Sequence, residues 1–110
     1  MTAKCETEYF DGILAINLYG DIDHHNAKQL REEIDDNIFL YRAKTVILDL
    51  SKIDFMDSSG LGLILGRYAK VTELGSTLII TNPNQGVEKI LKLAGTQKLI
   101  KIKYTERTGA

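Results

Sequence analysis

The sequence has one cysteine, Cys5, so an internal disulfide is excluded, and this fits a reducing compartment such as the cytoplasm. No apolar run approaches the ~20 residues needed to span a bilayer. Met1 to Glu8 carries acidic and polar residues where a secretory signal would have an apolar core. These absences give the expectation of a cytoplasmic protein with no membrane partner. An excess of one charge is also lacking: 14 Lys+Arg against 15 Asp+Glu leave a formal net charge of -1. Neutralising many phosphates requires a basic surface, so general binding to nucleic acid is excluded, although a local patch is not. The chain shows no internal repeat, low-complexity tract or linker. It also lacks a Gly-x-Ser-x-Gly elbow, a Ser-His-Asp order, a Gly-Lys-Ser/Thr phosphate loop and a Cys-x-x-Cys pair.

What is present suits one domain covering residues 1–110, with 44% hydrophobic and 26% charged residues. A domain of this size buries roughly 65% of the surface of its unfolded chain, enough for a core without metal or disulfide staples. Strand patterns over 4–10 and 13–19 flank Asp11-Gly12, a pair suited to a type I′ hairpin turn. Gly20-Asp21-Ile22-Asp23 reads as a polar loop. From about His24 the period becomes helical, with Ala27, Leu30, Ile34 and Ile38 on one stripe and Asp23 as N-cap. Lys44 to Leu50 is a near-continuous apolar run, which predicts a central strand buried on both faces. A second helix opens at Asp57-Ser58-Ser59-Gly60. Its apolar stripe is Leu61, Ile64, Leu65, Tyr68, Val71 and Leu74, and Gly75 lies just past its end. Thr77 to Thr81 is a strand, and Asn82-Pro83-Asn84 a turn. Asn84 caps a third helix through Val87, Ile90, Leu91 and Ala94, closed by Gly95. Leu99 to Lys103 is a last strand, and Glu106 to Ala110 a polar, frayed tail. The fold class is therefore α/β, in the order β-β-α-β-α-β-α-β. It implies a mixed, mostly parallel sheet with an antiparallel N-terminal hairpin at one edge.

In such sheets function gathers at loops leaving the carboxyl ends of strands. Two loops qualify, Gly20 to Asp23 and Ser51 to Ser59. The hydroxyls of Ser58 and Ser59 at a helix start have a structural use, since either accepts a hydrogen bond from a free first-turn N–H. The same geometry has a functional use. A phosphoserine brings about -1.5 to -2 charge, which a helix N-terminus tolerates. A partner pressed against that loop would not. Gly60, Gly62 and Gly66 give a second reading, nucleotide binding, although G-x-G-x-x-x-G misses the dinucleotide spacing by one position. Each interior helix glycine costs ~1 kcal/mol against alanine, so close approach of the helix to the sheet or a partner is the plain reason for them.

Other candidates carry less. His24 and His25 are adjacent, and on a helix they point about 100° apart, which rules out the i, i+4 metal pair. Asp21, Asp23, Asp49, Asp54 and Asp57 are explained by capping and loop solvation, and the hairpin start argues against an aspartate phosphoacceptor pocket. Cys5 stands outside any Cys-x-x-Cys context, so a reactive thiol is not expected. No metal and no cofactor are expected.

The residues carry a family resemblance. The stretch from Val46-Ile47-Leu48-Asp49-Leu50-Ser51 to Asp54-Phe55-Met56-Asp57-Ser58-Ser59-Gly60-Leu61-Gly62 resembles the signature of STAS domains, the anti-sigma factor antagonists. Gly20-Asp21-Ile22-Asp23 is similar to the family's loop after its second strand, and the likeness covers roughly residues 5–104. Leu63-Ile64-Leu65-Gly66-Arg67-Tyr68 most resembles the sporulation branch. One departure is the early C-terminus, which leaves the family's last helix short or missing.

The resemblance implies a regulator, not an enzyme. Unphosphorylated, it would bind an anti-sigma factor with serine kinase activity and release the sigma factor. The kinase would phosphorylate Ser58, and a serine phosphatase would restore the active form. Asp57, Ser59, Gly60 and Gly62 would form the surface offered to the partner, with Asp21 and Asp23 beside them and Arg67 on the exposed side of the helix. The free protein would be a monomer. The alternatives are a small nucleotide-binding protein and a scaffold module of a stress-signalling complex.

Overall fold

The computed structural model describes residues 3–105. The chain forms β1 (Lys4–Phe10), β2 (Ile13–Ile22), α1 (Ala27–Tyr41), β3 (Thr45–Met56), α2 (Ser58–Glu73), β4 (Thr77–Thr81), α3 (Gln85–Leu93) and β5 (Lys101–Lys103), with one 3-10 turn at Thr96–Lys98. The five strands lie in the order β1-β2-β3-β4-β5. β1 and β2 are antiparallel, and the other neighbours are parallel. The fold class and element order are those expected. The hairpin turn has the expected chemistry: Asp11 and Gly12 adopt φ of 52° and 81°, the positive values a type I′ turn needs. The expected fraying of Glu106 to Ala110 and the missing last helix lie outside the described residues.

The strand order explains where the core sits. Each parallel crossover steps to the next strand in the same direction, so right-handed connections put the crossover helices on one face. Leu14, Ile16 and Leu18 of β2, and Val46, Leu48 and Leu50 of β3, are buried beneath the helices. Ala15, Asn17, Ile47 and Asp49, on the other face, are only half-buried. The expectation that β3 is buried on both faces is therefore corrected: no helix crosses to its second face.

Two strands run further than their sequence pattern suggests. Gly20 to Ile22 belongs to β2 and Ser51 to Met56 to β3, where loops were expected. The cause is a pair of register shifts, between Asn17 and Tyr19 and between Gly20 and Asp21, after which pairing resumes as Gly20–Ile53 and Ile22–Met56. A bulge adds a residue and changes which positions face inward. The extra residues lie in β3, whose inward positions become Leu50, Ile53 and Met56, so its alternation disappears; β2 keeps its period of two from Leu18 to Ile22, with Gly20 leaving no side chain at the position between them. Gly20 has φ 93°, a conformation glycine adopts without strain.

Helix ends follow local chemistry, with one shift. α1 starts at Ala27, later than the predicted His24. Asp23 caps the preceding turn: its Oδ1 accepts from the amides of His25 (2.9 Å) and Asn26 (3.3 Å), and its carbonyl accepts from Ala27 N–H. His24 and His25 thus sit in that turn, with ring centroids 4.0 Å apart. Asn84 caps α3 as predicted, its Oδ1 accepting from Val87 N–H at 2.8 Å. Its Nδ2 donates to the Ile53 carbonyl of β3. Gly75 and Gly95 end their helices with positive φ.

Candidate functional site

β3 ends at Met56 and α2 begins two residues later, so the junction is short and well anchored. Asp57 N–H donates to the Ile22 carbonyl at 3.1 Å, tying the start of α2 to the end of β2. Asp57 has extended backbone, its side chain accepts from Ser59 N–H at 2.8 Å, and its carbonyl accepts from the amides of Gly60 and Leu61. The cap is thus Asp57 and neither serine. An aspartate one residue earlier reaches the free amides, and this leaves both hydroxyls outside the cap. Ser58 is the first helical residue and is exposed, whereas Ser59 is half-buried.

The fold brings the other predicted residues to the same end of the sheet, with two exceptions. Asp21 pairs with Phe55 in register, and Ile22 with Met56, so Asp21 and Asp23 border the start of α2. Gly62 is exposed on α2. Gly60 is not on the surface. A Cβ built there would lie 2.1 Å from Met56 Cγ and 3.2 Å from Ile22 Cγ2. Its role is close packing of α2 on β2 and β3. At Gly62 and Gly66 a Cβ would meet nothing within 4 Å, so contact with the sheet does not explain those two glycines.

Arg67 is also corrected. It was expected on the exposed side of α2, but it is 5% exposed. The buried stripe of α2 is Gly60, Leu63, Ile64, Arg67 and Val71, turned from the predicted one, and Leu61, Leu65 and Tyr68 are only half-buried. The sequence hides the reason, which lies on α1: Asp35 Oδ1 sits 2.8 Å from Arg67 Nε, and Asp35 Oδ2 is 3.7 Å from Lys70 Nζ. This is an ion pair without hydrogen-bond geometry. Nε and Nη1 of Arg67 remain buried with no hydrogen-bond acceptor among the described residues. Burial pulls the Arg67 pKa down, Asp35 opposes that pull, and the Arg31 charge adds to it.

Sequence reasoning missed Phe55. It is 55% exposed at the rim, beside Asp21 and one turn of chain from Ser58. A large exposed aromatic next to a polar loop suits a contact surface. Its only signal was an aromatic in a stretch that reads as a loop.

Two further polar features complete the picture. Cys5 Sγ donates to Glu33 Oε2 at 3.1 Å. Burial, then this hydrogen bond and the Glu33 charge, push the thiol pKa up to about 12, so the group stays protonated and inert near neutrality. On the uncovered face, Asp49 accepts from the amide and hydroxyl of Ser51, from Thr81 Oγ1 (2.8 Å) and from Asn82 Nδ2 (3.0 Å). Partial burial works against its charge, but these hydrogen bonds outweigh it and hold the carboxyl below its ordinary value. A folded pKa below the unfolded one gives stability that is present above about pH 3.9, the unfolded value, and is lost as pH falls through the folded pKa. Asp49→Asn is therefore expected to melt below wild type at neutral pH by about 1–2 kcal/mol. The gap should close in strong acid; a gap independent of pH between 7 and 2, measured by thermal denaturation, would contradict the charge-based account.

A STAS domain family model matches residues 4–109. The anti-sigma F factor antagonist of Paenibacillus polymyxa is 34% identical over 102 residues, covering 93% of this chain and 87% of that protein. The anti-sigma F factor antagonist of Lysinibacillus sphaericus is 37% identical over 82 residues, covering 74% of this chain and 70% of the relative. Among solved structures, the anti-sigma factor antagonist SpoIIAA in its unphosphorylated form matches with a TM-score of 0.80 at 30% identity, covering 94% of this chain and 90% of that one. The Bacillus cell fate determinant SpoIIAA in its phosphorylated form matches with a TM-score of 0.73 at 28% identity, covering 94% and 93%.

Proposed function

This chain belongs to the STAS domain family, and from that premise we propose that it is an anti-sigma factor antagonist switched by phosphorylation of Ser58. The observation that carries the reading is an exposed serine hydroxyl at the first residue of α2, left free because Asp57 does the capping. A kinase can reach such a hydroxyl. The phosphate would meet the positive end of a helix, so the domain would accept the new charge without unfolding. The existence of relatives solved in both phosphorylation states supports a reversible switch.

The partner is an anti-sigma factor that is also a serine kinase, and a serine phosphatase resets the cycle. The unphosphorylated form docks through the rim made by Asp21, Asp23, Asp57, Ser59 and Gly62, with Phe55 as its apolar element. Gly60 supports that rim from beneath, and Arg67 lies two turns further along α2, paired with Asp35 of α1. A dianion on Ser58, next to Asp57, would place repulsive and strongly hydrated charge inside the docked surface, and release would follow. The chain acts in the cytoplasm as a free monomer and performs no catalysis. Among the described residues no helix is long and apolar enough to cross a membrane.

Intact-mass measurement of the protein from its native host tests this reading. A population heavier by one phosphate, mapped to the peptide containing Asp57-Ser58-Ser59, is expected. Phosphate mapped to Ser59, or found on no residue of that peptide under any growth condition, would defeat it.

A further inference from the structure

α1 and α2 each lead from one parallel strand to the next, so they run in the same direction and their first turns lie at the same end of the sheet. Between them is a cleft of ≈ 320 Å³, lined by Lys28 and Arg31 of α1 and by Ser59, Gly62, Gly66 and Arg67 of α2. Three of these side chains are cationic. Neither helix has an acidic residue within its first turn; the carboxylates at these two helix starts are Asp57, which caps α2, and Asp23 in the turn before α1, each engaged with backbone amides.

We propose that this cleft is an oxyanion site that holds a phosphate group. It shares Ser59 and Gly62 with the proposed docking rim, but it needs neither the partner nor a phosphate on Ser58, so the unphosphorylated chain alone tests it. The Arg67 guanidinium is the strongest indication. It is 94% buried as a side chain (6% exposed), lines the cleft, and has Nε and Nη1 without a hydrogen-bond acceptor among the described residues. A buried, under-satisfied guanidinium is costly, and a planar fork of donors matches phosphate geometry. Asp35 neutralises only part of the local charge, and Lys70 shares that carboxylate.

The glycines support the same reading. Gly62 and Gly66 face open space within the cleft, where bare backbone allows close approach of a ligand. Lys28 and Arg31 are exposed at the mouth, suited to drawing an anion in. Ser59 offers a hydroxyl donor at the same end. A phosphate oxygen set between Arg31 and Arg67 would also relieve the repulsion between those two cations.

The test is a titration of the unphosphorylated full chain with sodium phosphate at fixed ionic strength, with chloride as control. Amide chemical shifts are expected to move over residues 27–31 and 59–67, and the melting temperature to rise with phosphate but not with chloride. Arg31→Ala, at an exposed position, should weaken phosphate binding at least threefold. Arg67→Lys keeps a charge but loses the fork, and should weaken it similarly in a folded protein. Gly62→Ala should raise the melting temperature by roughly 5 °C through helix propensity while weakening phosphate binding, two opposed readouts that a purely structural glycine would not give.

A parallel titration with ATP separates the sources. Response at tenfold lower concentration assigns the phosphate group to a larger ligand, and response at equal concentration assigns it to free phosphate. Equal stabilisation by chloride, unchanged affinity in Arg31→Ala, or shifts outside the cleft would overturn the site. So would the same shifts with sodium glutamate at equal concentration, which would make the cleft a receptor for a partner's carboxylate.

Discussion

Ser58→Ala is expected to abolish phosphate incorporation when the chain is incubated with its anti-sigma factor kinase and ATP, while wild type gains one phosphate. Ser59→Ala should still be phosphorylated. The two serines differ in presentation, since Ser58 is exposed at the first helical position and Ser59 is half-buried and faces the cleft between α1 and α2. Asp57 takes the amide of Ser59, so neither substitution removes the cap and neither should unfold the helix. Ser58→Asp should lower affinity for the unphosphorylated-form partner by about tenfold or more, because like charge placed in a desolvated interface costs at least the 1.4 kcal/mol that a factor of ten represents. Equal affinities in a calorimetric titration, with both proteins folded, would remove electrostatics as the basis of the switch. Label retained by Ser58→Ala would move the phosphoacceptor elsewhere.

Gly60→Ala is expected to be the most damaging of the conservative glycine substitutions, costing about 2 kcal/mol through overpacking and lowering the melting temperature by roughly 10 °C. The new methyl would sit 2.1 Å from Met56 Cγ and 2.7 Å from its Sδ. Met56 and Ile22 are themselves sealed in the core, so neither has space to retreat. Combining the change with Met56→Ala removes the obstruction, and in that background Gly60→Ala should cost less than about 0.5 kcal/mol, a coupling between touching side chains. A melting temperature within 2 °C of wild type, for which about 0.5 kcal/mol is the threshold, would show that the helix can lift off the strands without loss. The consequence reaches function. The contact that excludes a Cβ at residue 60 also sets the height of α2 over the strand ends, and so the position at which Ser58 is displayed.

Much of the site was legible in the residues. Ser58 was placed at the start of a helix after a buried strand, and the structure puts it there. The hairpin at Asp11-Gly12, the Asn84 cap and the helix ends at Gly75 and Gly95 also match their local chemistry. The less legible parts share a cause. Phe55 reads as loop because bulges shift the inward positions of β3 and erase its period of two, and Asp21 does because Gly20 and two aspartates interrupt the apolar alternation of β2. Arg67 was read as surface because periodicity counts a charged residue as outward unless its partner is known.

Signals that act within about four residues, namely turn φ preference, capping hydrogen bonds and helical period, are written in the chain, and they were sufficient for element order, sheet type and the Ser58 position. Interactions between segments far apart in sequence are not written that way. Asp35 on α1 draws Arg67 inward, Ile22 and Met56 leave no room at residue 60, and the step-by-step strand order leaves one sheet face bare for the Asp49 network. Each depends on which surfaces meet after folding, and one residue of bulge or a fraction of a helical turn reverses the outcome.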